Sequence, residues 1–161
     1  MAERKVLVKI GGEAVNKEDL YTFLKSLIGE YKLYIVCGAG REISKKLKEE
    51  RVSSKFIAAG RVIRGERGKK LALGILEKQR EILKQELQKC RIDAVVCESA
   101  IRFGDVGCNI NGDTLAVGLS VNFYKTFIVA VKETDEKKQA EKEAKKTKLV
   151  QEGHNIEIVW L

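Results

Sequence analysis

Two hydrophobic periods alternate along this chain, and together they predict a succession of strands and helices. Residues 5–10 alternate apolar and polar side chains and end at Gly11 and Gly12, which is typical of a strand that runs into a tight loop. Apolar residues then recur three and four positions apart, which predicts a helix with Asn16 as its N-cap; they are Leu20, Phe23, Leu24, Leu27, Ile28 and Tyr31. A second strand over 32–37, a loop over 38–40 and a second helix over 41–50 repeat this order.

The rest of the chain continues the same alternation. Helices are predicted over 66–90, around 115–123 and, as an exposed charged segment, over 132–148. Strands are predicted over 92–97, 126–131 and 156–161, and residues 100–112 are expected to be irregular or a hairpin because Gly, Asn and Asp are frequent there. The fold class expected is therefore α/β, a three-layer sandwich with a mainly parallel central sheet.

Length and composition fit one domain with a packed core. The chain has 161 residues, of which 44% are hydrophobic, so a single domain over 1–161 is predicted. No apolar run approaches the length that crosses a bilayer, and the N-terminus lacks the apolar segment of a secretion signal. We therefore expect no membrane association and a cytoplasmic location.

Charge and cysteine content narrow the classes of function. Lysine and arginine exceed acidic residues by 31 to 23, but they are dispersed among glutamates, so a nucleic-acid partner is not favoured. The Lys/Glu richness and single methionine fit a heat-adapted organism. The four cysteines form no CxxC pair and His154 is the only histidine, so no metal site is predicted. Isolated cysteines among aliphatic residues suit a reducing compartment.

Three loops are candidates for binding an anion. Lys9 precedes Gly11 and Gly12, and such glycines let backbone N–H groups approach a phosphate beside a lysine. Gly38 and Gly40 stand just before a predicted helix N-terminus, which favours phosphate or carboxylate. Each loop taken alone also fits an ordinary turn.

The third candidate loop comprises residues 109–114. It places Asn111 and Asp113 where the next predicted helix begins, and either residue fits a simple N-cap. In a parallel α/β sheet, ligands bind at the carboxyl ends of the strands. The three loops are therefore expected to converge on one pocket with an ammonium group at its floor, in which Asp113 orients Lys9.

Four segments in this order resemble the amino acid kinase family, which includes acetylglutamate kinase, aspartokinase and uridylate kinase. They are VLVKIGGEAV, LYIVCGAGREISKKL, FIAAGRVI and CNINGDTLAVGLS. The resemblance covers residues 5 to about 131, the part that looks like the substrate lobe. By this resemblance, the charged segment 132–150 and the terminal strand 151–161 would stand where the family has its longer nucleotide lobe.

The resemblance implies a role for each matching residue. Lys9 and Asp113 would be catalytic, with Lys9 at the transferring phosphoryl group and Asp113 organising it. Gly11 and Gly12 would contact phosphate. The substrate would be bound by Gly38, Gly40, Arg61 and Asn109, with the Arg61 guanidinium suited to a carboxylate.

Two functions follow as expectations. The first is a phosphotransferase that phosphorylates a small acidic metabolite, a carboxylate or phosphate, with ATP and Mg²⁺. The nucleotide would be held by a reduced lobe, by a second copy of the chain or by a partner chain. The alternative is a non-catalytic subunit that binds small anions or regulates a partner and needs no cofactor.

Overall fold

The computed structural model describes residues 4–57, 60–103, 106–108 and 111–161 and folds them into an α/β structure. The strands are β1 (Arg4–Ile10), β2 (Tyr31–Cys37), β3 (Ser54–Ile57), β4 (Gly60–Ile63), β5 (Ala94–Val96), β6 (Ile101–Phe103), β7 (Val106–Cys108), β8 (Lys125–Ala130) and β9 (Ile156–Trp160). The α-helices are α1 (Glu18–Leu27), α2 (Gly40–Glu49), α3 (Glu66–Lys89), α4 (Gly112–Leu119) and α5 (Glu136–Glu152). Short 3₁₀ helices span Gly12–Asn16 and Ser120–Asn122.

A five-stranded parallel sheet forms the centre of the molecule. Its strand order is β5-β2-β1-β8-β9, and two separate antiparallel hairpins, β3-β4 and β6-β7, lie outside it. Ile10 is paired with Cys37 on one side and with Val129 on the other. Because the strands are parallel and in this register, the loops that follow β1, β2 and β8 leave the sheet at one edge.

Helices cover both faces of the sheet, so the predicted three-layer α/β architecture is confirmed. Alternate residues of β1 explain the layers, since successive strand side chains point to opposite faces. Val6, Val8 and Ile10 pack in one core with apolar residues of α1 and α3. Leu7 packs in the opposite core with Ala116 of α4, and Leu149 of α5 lies against that core.

A smaller core lies beside the sheet and fixes the position of the β3-β4 hairpin. Ile43 and Leu47 of α2 pack with Ile63 of β4 and with Ala72 and Leu76 of α3. α2 and α3 therefore hold the hairpin next to the loops that follow β1 and β2.

The structure differs from the sequence prediction at several element boundaries. Asn16 was expected to cap α1, but it ends a 3₁₀ helix and Lys17 is the N-cap. α1 stops at Leu27 because the chain turns at Gly29, whose φ is +104°, a conformation that favours glycine, and Tyr31 then opens β2. α5 begins at Glu136 because the Asp135 side chain accepts a hydrogen bond from the Lys138 N–H at 2.9 Å.

The β3-β4 hairpin is an element that the periodicity did not predict. Its strands are four residues each, and all of β3 is exposed. Phe56 is 64% exposed, so no alternation between core and solvent marks this segment.

Residues 101–108, expected to be irregular or a hairpin, contain the β6-β7 pair. Within the described residues, no helix combines the length and apolar character needed to cross a membrane.

Candidate functional site

Two glycine loops are packed backbone against backbone at the carboxyl ends of β1 and β2. The Gly38 N–H donates to the Ile10 carbonyl at 2.8 Å. A Cβ atom on Gly12 would lie 2.7 Å from the Gly38 carbonyl oxygen, a distance that real Cβ contacts essentially never reach. The Glu42 carboxylate would lie 3.1 Å from that Cβ. The loops therefore meet as closely as they do because position 12 carries no side chain.

Next to these loops lies a cavity of about 150 Å³, which we call the glycine-loop pocket. Its lining brings together both glycine loops, a lysine and an arginine. The lining residues are Lys9, Gly11, Gly12, Gly38, Ala39, Gly40, Ile43, Phe56, Arg61, Leu76, Ser99, Asn111 and Gly112.

One carboxylate holds two ammonium groups, of which that of Lys9 belongs to a residue that lines this pocket. Asp113 Oδ1 lies 2.7 Å from Lys9 Nζ, and Asp113 Oδ2 accepts a hydrogen bond from Lys146 Nζ at 2.6 Å. The side chains of Lys9, Asp113 and Lys146 are 12%, 23% and 9% exposed. We call these three residues the lysine triad. With all three charged, the triad carries one net positive charge in a mostly buried place.

The elements that supply the triad explain its geometry. Lys9 belongs to β1, Asp113 to the first turn of α4 and Lys146 to α5. Asn111 is the N-cap of α4, and its side chain accepts a hydrogen bond from the Asp113 N–H at 3.0 Å. This cap fixes the backbone of Asp113, and α5, which packs on the same face of the sheet as α4, brings Lys146 to it.

The triad shifts the titration of its own members. Burial raises the pKa of Asp113, but the charges of Lys9 and Lys146 and their hydrogen bonds outweigh it and lower that pKa to about 2. Burial, followed by the charge of Lys9, lowers the pKa of Lys146, and the Asp113 carboxylate offsets part of this effect. Asp113 is therefore ionised at neutral pH.

Arg61 supplies the second cation of the pocket and is held from several sides. Its guanidinium donates hydrogen bonds to the Gly40 carbonyl at 3.0 Å and to Ser44 Oγ at 2.7 Å. The guanidinium carbon also lies 4.2 Å from the centre of the Phe56 ring. Within the described part of the chain, no carboxylate is within ion-pair distance of Arg61, so its charge is not neutralised there.

Two helices start at the pocket. Ala39, the N-cap of α2, makes no side-chain capping bond, and the first N–H groups of a helix have no partner within it. α4 begins at Gly112, which also lines the pocket. The partial positive charge of a helix N-terminus attracts anions. This term adds to the charges of Lys9 and Arg61.

A ring of alternating charges lies just outside the pocket. Arg41 contacts Glu13 at 2.5 Å and Glu133 at 2.7 Å. Lys142 contacts the same two glutamates at 3.2 and 2.7 Å and donates to the Val131 carbonyl at 2.6 Å. We call Arg41, Glu13, Lys142 and Glu133 the charge ring. It ties α5 to the loop after β1 and to α2.

The structure brings most of the sequence-predicted residues to one place. Lys9, Gly11, Gly12, Gly38, Gly40 and Arg61 line the pocket. Asp113 contacts Lys9, as expected of a residue that orients it. Asn109 lies outside the described residues, whereas Asn111 of the same loop lines the pocket. The roles assigned to all of these residues stay predictions.

Sequence reasoning missed Lys146 and the charge ring. Lys146 stands in a segment crowded with lysines and glutamates, and nothing in its neighbourhood distinguishes it from the exposed Lys145. Only the packing of α5 on the sheet shows that one of these lysines is buried. Cys37, at the end of β2, is buried, and burial raises the pKa of its thiol to about 12.

The acidic residues of the described chain form no metal centre on their own. Among those residues, no group of three or more His, Cys, Asp and Glu side chains is arranged to hold a metal ion. The carboxylates near the pocket are instead engaged by lysine and arginine, as at Asp113 and Glu13.

The fold and pocket define the chain as a parallel three-layer α/β protein with a basic, glycine-rich pocket at the carboxyl edge of its sheet. Among solved structures, it is similar to smu.665 from Streptococcus mutans UA159, with a TM-score of 0.62 and 19% identity. The likeness covers 80% of this chain and 72% of that one, and at this identity it supports the fold alone. No protein-family model matches the chain. No curated protein matches it either.

Proposed function

We propose that the chain binds a small acidic metabolite, a carboxylate or a phosphate, in the glycine-loop pocket and transfers a phosphoryl group to it from ATP. One observation carries the proposal: the pocket combines Lys9, an Arg61 without an acidic partner in the described chain and the starts of two helices in about 150 Å³. Each of these groups attracts negative charge. The ordered motifs that resemble the amino acid kinases support the same reaction.

The proposed mechanism is positioning and charge neutralisation. Arg61 holds one acidic group of the substrate through paired N–H groups, and Ser44 and Gly40 keep the guanidinium in place. Lys9 faces the oxygen atoms of the transferring phosphoryl group. A new P–O bond forms to a substrate oxygen as the bond between the γ-phosphorus and the bridging oxygen of ATP breaks, and ADP leaves with that electron pair.

Asp113 acts through the lysines and does not contact the substrate in this mechanism. It fixes Lys9 and Lys146 while leaving one net positive charge at the pocket wall. Because Asp113 is shared with Lys146, it neutralises the charge of Lys9 less completely than it would in a simple pair, and Lys9 keeps more of its attraction for a phosphoryl group. ATP would supply the phosphoryl group, and Mg²⁺ would enter with the nucleotide, since the described residues contain no cluster of acidic side chains arranged to hold it.

A second candidate function is a binding subunit without turnover. It is favoured by the observation that the cationic side chains near the pocket are already paired with carboxylates of the chain. Arg41 and Lys142, which lie beside the loops and could otherwise meet a triphosphate, are each paired with Glu13 and Glu133. A pocket of about 150 Å³ also suits a small anion better than a whole nucleotide.

Binding of succinate and inorganic phosphate, followed by thermal shift and calorimetry, tests the shared part of both candidates. We expect stabilisation of about 2.7 kcal/mol when the anion is present at a hundred times its Kd. Arg61→Met should raise the Kd about ten-fold or more, because a charged hydrogen-bonding partner is lost. Arg64→Met, at an exposed arginine just after β4, is the matched control and should leave the Kd unchanged.

Turnover separates the two candidates. If the chain is a phosphotransferase, a screen of small carboxylates with ATP·Mg should show release of ADP. Lys9→Met should abolish this release without loss of fold. Anion binding without ADP release or any nucleotide-induced stabilisation leaves the binding subunit. If none of the anions stabilises the protein, both candidates are wrong.

A further inference from the structure

A second, larger cavity adjoins the glycine-loop pocket. It has a volume of about 340 Å³ and lies between one face of α3 and the segment after β5. We call it the α3 groove; α3 contributes Lys70, Leu73, Gly74, Glu77 and Arg80, and the other wall is 98–100. Leu76 and Ser99 line both this groove and the glycine-loop pocket. The groove and the pocket therefore lie next to each other and meet at these two side chains.

Gly74 keeps the middle of the groove open. The 24-residue α3 contains two glycines, Gly68 and Gly74. Close packing requires the first, because a Cβ on Gly68 would lie 2.6 Å from Val52 Cγ1 and 2.7 Å from Ile63 Cγ2. A Cβ on Gly74 would meet nothing within 4 Å. Close packing within the chain therefore explains the glycine at position 68. At position 74 a side chain would have room and would extend into the groove.

The lining of the groove differs in chemistry from that of the pocket. Arg80 is paired with Glu77 at 3.0 Å and with Glu98 at 3.4 Å, so its charge is balanced. Leu73, Leu76 and Ala100 supply apolar surface between these charges. The pocket attracts an anion, whereas the groove offers a methylene chain apolar contact at little cost in buried charge.

We propose that the ligand of this protein is an extended acid, whose acidic group occupies the glycine-loop pocket and whose aliphatic chain lies along the α3 groove past Gly74. This inference rests on the proposed function, since it assumes that the pocket binds an anion. It specifies the substrate class further: a linear acid with several methylene groups, in preference to a compact one.

A comparison of succinate with suberate tests the inference by calorimetry. Both are doubly charged at neutral pH and differ only in the number of methylene groups. We expect the Kd of suberate to be about ten-fold lower or more for the unaltered chain, since each buried methylene adds to the affinity. Gly74→Leu should fill the groove, reduce this ratio to near one and leave the Kd of succinate unchanged.

Two further variants serve as controls. Gly118→Leu makes the same change at an exposed helical glycine of α4, where an added Cβ also meets nothing within 4 Å, and should keep the full ratio. Gly74→Ala adds a single carbon to the groove, favours the helix and should give an intermediate ratio even if the leucine variant folds poorly.

The outcomes distinguish the two levels of the proposal. The extended-acid inference is wrong if succinate binds and suberate binds no better. It is also wrong if a preference for suberate persists in Gly74→Ala and Gly74→Leu. Either result leaves the proposed function intact. Failure of both acids to bind overturns the proposed function and this inference with it. Sedimentation could instead show a dimer that Gly74→Leu dissociates. If suberate is then also not preferred, the groove is a contact between two copies of the chain and the inference is wrong.

Discussion

Asp113 determines the charge at the wall of the glycine-loop pocket. It is the shared partner of two largely buried lysines, so removing its charge leaves both ammonium groups without their carboxylate. The cost of leaving a buried charge without its partner is large compared with the worth of an exposed ion pair. The same arrangement ties the stability of the fold to the protonation of one side chain.

Asp113→Asn should lower the free energy of unfolding at pH 7 by about 3 kcal/mol. The pKa of Asp113 is lowered to about 2 in the folded state, below its unfolded value near 3.8. Its contribution is therefore complete above about pH 4 and is lost as the pH falls toward 2. The unaltered chain should lose about 2 kcal/mol more than the variant across that range, as measured by urea denaturation.

The exposed Asp93 offers a matched control for this titration. Asp93→Asn removes a carboxylate of the same type outside the triad, and the variant should follow the pH dependence of the unaltered chain. Curves for Asp113→Asn and the unaltered chain that run parallel between pH 4 and 2 would contradict the coupling of Asp113 to its lysines.

At the scale of elements, the loops after β1 and β2 form one unit. Gly38 donates to the Ile10 carbonyl, and the missing side chain of Gly12 lets the second loop approach. Gly11, its neighbour, has no such constraint, because a Cβ there would come no nearer than 3.9 Å to Glu13. Of these two adjacent glycines, only Gly12 therefore has no room for a side chain.

Gly12→Ala should separate the two loops, since the contact that a Cβ would make is with backbone, which cannot rotate away. We expect a loss of about 1–3 kcal/mol in unfolding free energy and weaker succinate binding. Gly11→Ala should fold with unchanged stability and is the natural comparison. Equal stability of the two alanine variants in denaturant titrations would show that the loops are not in close contact.

The strands of the sheet were the elements most readily predicted from sequence, and the reason is visible in β1. Its side chains pack into cores on both faces of the sheet, so consecutive apolar residues at 6–8, ended by glycines, mark it as a buried strand. The β3-β4 hairpin was missed because its outer strand is exposed and has no buried face to create a pattern. Lys146 was missed because its burial depends on the packing of α5 against residues distant in sequence. The residues around Lys146 do not show which lysine of α5 is buried.

At the scale of the molecule, the segment after β8 completes both the sheet and the ion pairs behind the pocket. β9 pairs with β8 along five residues, and α5 delivers Lys142 to the charge ring and Lys146 to the triad. The part that resembles a substrate lobe, residues 1–131, therefore depends on the charged segment and terminal strand that follow it for the edge of its sheet and for the partners of Glu13 and Asp113.

A chain truncated after Val131 should show this dependence. β8 would become an edge strand. The core around Phe127 would lose the apolar residues of β9, and the core around Ile128 would lose those of β9 and α5. We expect a melting temperature lower by about 10 °C or more, followed by circular dichroism. Adding the peptide 132–161 should restore part of the loss. A truncated chain that melts cooperatively at the original temperature would contradict the prediction.

The position of β1 in the middle of the sheet has a consequence for how quickly the chain reaches its native state. Val6 is paired with Leu33 on one side but with Lys125 on the other, so the second partner comes from far along the chain. Closing such a long loop must precede any gain from the pairing, and proteins dominated by distant contacts fold slowly. Refolding experiments should therefore find early order in β1 and β2 and a slow final step in which β8 joins them.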